Sequence, residues 1–321
     1  MDPIQNKQNI DDSEGEEIIQ EGEVDENFEQ RVQKLLYETD NGLNLYNKPV
    51  MPLIYYEFNE EIKQQAQQVI SQDTTIIPQD KYEKYEQEAS KIWDKFYRHH
   101  QNNFFKDRHY LEREIPELNH FKESHQKDET KLYVICEMGC GVGNALFPLK
   151  KNYTFFKKVY GFDFSKRAID VLKANELYDE NVFQACVCDL VLDALPDFER
   201  PDLGTLIFVL SAISPENHLM VVRKIFEWMK PGSVLYFRDY GQYDFGQINL
   251  SKKKNRKLKD NFYVKHDGVR VYYFSNEEVT SLFTTAGFKQ LDVKAHYRYI
   301  ENRKTKVKMY RVWVQGRFLK E

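Results

Sequence analysis

An apolar run, Leu132–Cys136, ends directly in Glu137-Met-Gly-Cys-Gly-Val-Gly-Asn144, where three glycines alternate before a helical stretch. Strand, tight glycine turn and helix in that order begin a crossover unit, so the chain must return to lay the next strand beside the first. The pattern repeats. Val159–Phe162, Val182–Val187, Leu203–Leu210 and Val234–Phe237 read as further strands. Asn144–Lys151, Lys166–Asn175 and Glu216–Met229 read as the intervening helices. After a helix over Asn276–Ala286 the alternation stops, and Leu291–Tyr299 and Met309–Phe318 read as a closing hairpin. The expected fold is α/β, a doubly wound, mostly parallel seven-stranded sheet with a C-terminal antiparallel strand pair.

Gly139, Gly141 and Gly143 let the backbone turn sharply and approach a ligand closely. A dinucleotide fingerprint would carry Gly or Ala at position 144, where a pyrophosphate meets the helix. Asn144 stands there instead. An acid followed by G-x-G-x-G is the Rossmann-like class I methyltransferase form, whose loop wraps the methionine part of S-adenosyl-L-methionine. Asp163 ends the second strand, 24 residues after Gly139, where a carboxylate can accept from both ribose hydroxyls. Asp189 follows the third strand, where it can accept from an adenine amino group while Leu190 packs nearby. Each acid alone could be a helix cap. Three such elements at consecutive strand ends point to one cofactor.

The formal net charge of −5 hides a segregation. Residues 1–30 hold 11 acidic side chains and one lysine, and the remaining residues carry 45 basic against 40 acidic. The first 30 residues read as a disordered acidic tail, 31–130 as a helical extension, and 131–321 as the methyltransferase domain. Helices are expected at Asn59–Ile70 and Lys81–Tyr97, and a loop at Asn119–Lys131. Trp93, Phe96 and Tyr97 share one helix face. Cys136, Cys140, Cys186 and Cys188 lack the two-residue spacing of zinc ligands, so no metal is expected. The longest apolar run is too short for a bilayer and no export signal is visible. The expectation is a membrane-free, cytoplasmic or nuclear chain.

The end of strand four bears on the chemistry. Phe208-Val-Leu-Ser-Ala-Ile213 lacks the Asn/Asp-Pro-Pro-aromatic clamp for exocyclic amines. No cysteine lies beyond Cys188 to attack a pyrimidine ring. A ring nitrogen, an oxygen or a carboxylate remains. Trp93-Asp-Lys-Phe-Tyr97, Phe104-Phe-Lys-Asp-Arg-His-Tyr-Leu111, Ile115-Pro-Glu-Leu118, the glycine loop, Asp163-Phe-Ser165, Ile207–Ile213, Leu235–Gly241 and Asn261-Phe-Tyr-Val264 together resemble eukaryotic tRNA N3-methylcytidine methyltransferases. The resemblance covers roughly residues 90–320. It implies methylation of cytidine 32 in the anticodon loop, and Leu282–Gly287 and Met309–Gln315 look closest to the branch acting on threonine and some arginine tRNAs.

It also implies cofactor contacts from Trp93, Tyr97, Gly139, Asp163, Asp189, Leu190 and Ile207. For Trp93 and Tyr97 a helix face buried against the core is the alternative to a lid. Lys252–Lys259 has six basic residues in eight. Lys252, Lys253, Lys254, Arg256 and Lys257, with Phe262, Tyr263 and Arg270, and Lys106 and Arg108 beside the lid, are the expected tRNA contacts. A solvated loop is the alternative for the basic run. Asp239, at the end of strand five, is the expected group for stabilising a cationic product, with a loop-holding role as its alternative. An accessory protein is a further expected partner. A non-catalytic cofactor-binding subunit, or a methyltransferase for a protein or small molecule, remains open.

Overall fold

The structure, a computed structural model, describes residues 60–100, 105–301 and 308–321. The expected acidic tail and residues 302–307 of the closing hairpin lie outside the described residues. Helices α1 (Glu60–Ser71), α2 (Gln79–Gln87), α3 (Ala89–His100), α4 (Leu111–Glu114) and α5 (Pro116–Lys127) precede the sheet. Then come β1 (Tyr133–Met138), α6 (Leu146–Asn152), β2 (Phe156–Asp163), α7 (Lys166–Lys173), β3 (Phe183–Val187), β4 (Leu203–Ile207), α8 (Pro215–Trp228) and β5 (Val234–Tyr240). Helix α9 (Phe245–Ser251) and strands β6 (Lys257–Lys259), β7 (Phe262–Val264) and β8 (Arg270–Tyr272) follow. Helix α10 (Asn276–Ala286), β9 (Lys289–Glu301) and β10 (Lys308–Leu319) close the chain.

The main sheet has the order β3-β2-β1-β4-β5-β10-β9. β1 to β5 are parallel, and β10 is antiparallel to both of its neighbours. The central strands are apolar throughout because both faces are covered. Alternate β1 residues take opposite sides. Val134, Cys136 and Met138 join a core with α8 and α10, whereas Ile135 joins one with α6 and α7. The order reverses between β1 and β4, and the register aligns Met138 with both Phe162 and Leu206. The ends of these strands therefore open one crevice.

Two local expectations are corrected. The helix read over Lys81–Tyr97 is two helices meeting at Glu88. No Gly or Pro marks the break. It arises because α2 docks on the small sheet, through Tyr82 against Phe262, and on the start of α8, through Tyr82 against Glu216, while α3 docks on α7. The loop expected at Asn119–Lys131 is mostly helix α5, started by Pro116 at its first turn. Leu118 is fully buried, and Phe121 stacks on Tyr133 at 4.0 Å. Two apolar anchors in a polar sequence hid that helix. The sequence carries no clear signal for α9 or the β6-β7-β8 sheet. Leu258, Phe262 and Val264 bury that sheet against the main core, and Leu250 of α9 packs on its other side with Tyr263, Val271 and Tyr273.

Candidate functional site

Gly139 N and Cys140 N both donate to Phe162 O, which folds the glycine loop over the end of β2. Gly139 sits at φ +71°, and a Cβ there would come within 2.3 Å of the Val209 side chain. Gly141 sits at φ +50°, and a Cβ would meet the Tyr97 hydroxyl at 2.6 Å. Only glycine lets the loop pass between these two side chains.

Asp163 is buried beneath this loop. Its Oδ2 accepts from Gly141 N and its Oδ1 from Ser165 N, each at 2.9 Å. Burial raises its pKa to about 6 against those two hydrogen bonds. Asp189 Oδ1 accepts from Val191 N at 2.8 Å and so holds the turn after β3. Glu137, at the end of β1, is buried with Oε2 unpartnered. Burial lifts its pKa to about 8, opposed by the nearby Arg108.

Helix α3 closes the site. Asp94 Oδ1 accepts from Ser165 Oγ at 2.6 Å and from Arg167 N at 3.1 Å, fixing α3 over the start of α7. Tyr97 is buried, with Trp93 and Phe96 packed beside it. Further back, Glu86 of α2 pairs with Arg270 and Ser214, and Arg270 Nη1 donates to Ser214 Oγ at 2.9 Å.

Between these walls lies a cavity of about 350 Å³. Trp93, Tyr97, Gly139, Asp163, Asp189 and Leu190 line it, six of the expected cofactor residues. The other three do not. Ile207 is buried in the core beside Leu146 and Leu203, because it points away from the crevice at the last position of β4. Gly141 backs the cavity through Asp163, and Gly143 packs on Phe147. The lid and buried-face readings of α3 prove compatible, since Tyr97 is both buried and part of the lining.

The turn after β4 forms the opposite wall. Phe208, at φ +58°, Val209, Ala212 and Ile213 line it. A bulky residue in the left-handed region is strained, and such strain collects at functional sites. Asp239 lies behind this wall, fully buried, with Oδ2 accepting from Ser211 N and Oδ1 from Tyr240 N, each at 2.9 Å. It does not line the cavity, so its expected catalytic role gives way to holding the turn. His218 does the same from α8, its Nε2 reaching Leu210 O and Ile213 O. The sequence reading missed Glu86 and the exposure of Phe208. The motif Phe208–Ile213 was the available signal for the latter.

The expected RNA residues scatter. Phe262 and Tyr263 are fully buried core residues, since β7 is the middle strand of the small sheet. Arg270 is buried in its pair with Glu86 and lines the cavity. Lys257 donates to Asp73 O and pairs with Asp260, and Arg256 donates to Lys265 O. Lys252, Lys254 and Lys106 are exposed, and Lys253 is half-buried. Arg108 is half-buried, its guanidinium 5.2 Å from the Phe208 ring centroid. Among the described residues no cluster of His, Cys, Asp or Glu could hold a metal.

The cavity fits S-adenosylmethionine. Its volume falls in the range of small-ligand pockets. Its carboxylates at two successive strand ends, Asp163 buried and Asp189 half-buried, suit hydroxyl and amine donors, and its aromatic lid suits a flat base. Comparisons agree with this chemistry. A family model described as "Methyltransferase domain" matches residues 85–293. The human tRNA N(3)-cytidine methyltransferase METTL6 is 40% identical over 260 residues, covering 80% of this chain and 89% of its own. A tRNA N(3)-methylcytidine methyltransferase of Schizosaccharomyces pombe is 37% identical, covering 83% and 85%. O-methyltransferase 3 of Dictyostelium discoideum is 34% identical, covering 79% and 75%. A SAM-dependent methyltransferase from Anabaena variabilis shares the fold at a TM-score of 0.50 with 15% identity, covering 72% of this chain and 94% of its own.

Proposed function

This chain belongs to the family of the tRNA N3-cytidine methyltransferases, and on that premise we propose that it methylates N3 of a cytidine in the tRNA anticodon loop. Position 32 of threonine and some arginine tRNAs is the proposed target. The observation that carries the reading is the cavity itself, where Gly139, Asp163 and Asp189 face the Phe208 wall under the Trp93–Tyr97 lid.

When bound there, S-adenosylmethionine supplies an electrophilic methyl group. Asp163 and Asp189 accept hydrogen bonds from its sugar and base, the glycine loop admits its amino-acid end, and Trp93 and Tyr97 exclude water. The acceptor needs no general base, because N3 of neutral cytosine carries a free lone pair. The protein's work is placement. Asp239 and His218 fix the turn after β4, and that turn presents Phe208 as the surface against which the base is seated. An unpaired loop nucleotide reaches it by leaving its stack, at modest cost.

The test is transfer of labelled methyl to total tRNA, followed by separation of the nucleosides against methylcytidine standards. N3-methylcytidine is the expected product. Only 2′-O-, N4- or C5-methylated nucleosides, or label in protein and none in RNA, would overturn the reading. The 2′-O outcome matters because one relative carries an O-methyltransferase name.

A further inference from the structure

Beside the cavity, the sheet carries a second cluster that cofactor binding does not use. In the β5-β10-β9 register Trp313 lies opposite Tyr240 on one side and His296 on the other, and Arg311 lies directly opposite Arg298. Alternation along each strand puts Arg311, Trp313 and Gln315 on the same face as Arg298, Tyr240 and Arg238. The lower part of that face is covered by α4 and α5. Gln315 Nε2 donates to Glu114 at 3.3 Å, and Arg317 Nη1 to Glu117 at 2.7 Å. Next to that cover, Tyr110 lies over Arg238.

From there cations and rings alternate. The Arg238 guanidinium sits 4.8 Å from the Tyr110 ring centroid and 5.0 Å from that of Trp313. Arg298 and Arg311 each lie 5.7 Å from the Trp313 centroid. Arg311 and Lys265 lie 5.9 and 5.3 Å from the Tyr240 centroid. Tyr240 in turn packs on Phe208 at 4.8 Å. The series therefore ends on the wall of the cavity.

Arg311, which faces Arg298 across the ladder, carries an ion pair to the buried Asp244. One feature of this face is costly for the fold alone. Arg238 is buried with its Nε unpartnered, its Nη1 bonded to the neutral amide oxygen of Gln315 at 2.8 Å. Asp244 accepts from Arg311 Nε at 3.0 Å. Arg298, Arg311, Trp313 and Tyr240 all stay partly exposed.

We propose that this face binds the single-stranded RNA flanking the acceptor nucleotide. Arg298 and Arg311 take phosphates, Trp313 and Tyr240 stack unpaired bases, and the strand is led to Phe208. An acidic peptide would satisfy the arginines but would leave the rings without flat partners. Guanidinium groups beside π-faces match what unpaired RNA presents. The assignment rests on the reading that RNA is the substrate.

The experiment measures tRNA binding to the full chain across a salt series, with cofactor affinity measured in parallel. Arg298→Gln should weaken tRNA about tenfold and lower the log–log salt slope by about 0.7, the loss of one phosphate contact on a single strand. Trp313→Leu should weaken binding to a similar degree with the slope unchanged. Both variants should keep the cofactor affinity of the parent, which shows that they fold. Parental tRNA affinity and slope in a folded Arg298→Gln chain would overturn the assignment. If the parent methylates tRNA while that variant binds it normally, this face fails and the proposed activity stands. If the parent makes no N3-methylcytidine, the activity itself fails.

Discussion

At the carboxyl ends of β1, β2 and β3 the site is acidic and enclosed, and its parts meet because their strands are neighbours in the sheet. Glu137, Asp163 and Asp189 each stand at or just past a strand end. Around β5, β10 and β9 the surface is basic, aromatic and partly open, and its parts come from residues 108 to 313. The turn Phe208–Ile213 is the partition, since it lines the cavity and carries the ring that Arg108 and Tyr240 touch. A buried carboxylate and a partly exposed arginine respond differently to pH and salt. The two halves can therefore be perturbed separately.

The largest effect should come from the ion pair that holds the lid's supporting helix to the core. Glu86→Ala leaves the buried Arg270 with Ser214 Oγ in place of its carboxylate. Arg270 is buried and Glu86 one third exposed, so the loss falls at the low end for a broken buried pair, about 3 kcal/mol. Urea denaturation should report that loss, and a stability equal to the parent would mean that Arg270 is solvated in solution. Next, Asp163→Ala should weaken cofactor binding by about 2 kcal/mol, the worth of hydrogen bonds to a charged group. Calorimetry on the folded variant decides it, and tRNA affinity should change much less. A matching loss on both sides would erase the division between the halves.

The cofactor half was legible in the sequence because each of its parts is local. The three glycines, Asp163 and Asp189 each follow an apolar run, and strand-end position follows from the order of elements. Asp239 sits at a strand end too, yet it turns under the neighbouring loop, and nothing in Phe237-Arg-Asp-Tyr240 distinguishes the two outcomes. The basic half was not legible. Its partners are joined by strand register, as Arg298 is to Arg311, and register is invisible along the chain. Phe262 and Tyr263 misled for the opposite reason. Aromatic residues after a basic run look like a stacking platform, but here they form the middle strand of a small buried sheet.

Acid should act on the first half through Asp163; burial raises Asp239, behind the shared turn, to about 6 as well, so a variant at Asp163 is needed to separate the two. The Asp163 carboxyl, pushed up to about 6 by burial, is ionised at neutral pH and protonated below that value. A neutral carboxyl is a poorer acceptor, so cofactor affinity should fall about tenfold between roughly pH 7.5 and pH 5, as the ionised fraction does. The sign separates this from unfolding. A carboxyl whose folded value is raised favours the folded chain when protonated, so at this residue acid does not weaken the fold. Asp163→Asn should bind weakly with little pH dependence over that range. An equally steep profile in the Asn variant would assign the titration to another group.

The smallest effect tests whether the basic run belongs to the RNA surface at all. Lys252 and Lys254 are exposed, whereas Lys257 is tied to Asp73 and Asp260 and Arg256 to Lys265. At most the two exposed lysines of this set can reach phosphate without breaking a contact within the chain. Replacing both with Gln should therefore weaken tRNA binding only about fivefold and lower the salt slope by up to about 1.4, two single-strand contacts' worth. Stacking is untouched, so a short unstructured oligonucleotide that seats on Trp313 should bind the double variant almost as well as the parent. A loss on tRNA with none on the oligonucleotide would place the lysines against the folded body of the tRNA, away from the acceptor strand. No loss on either would leave the run as a solvated turn, and phosphate recognition would fall to Arg298, Arg311 and Lys106.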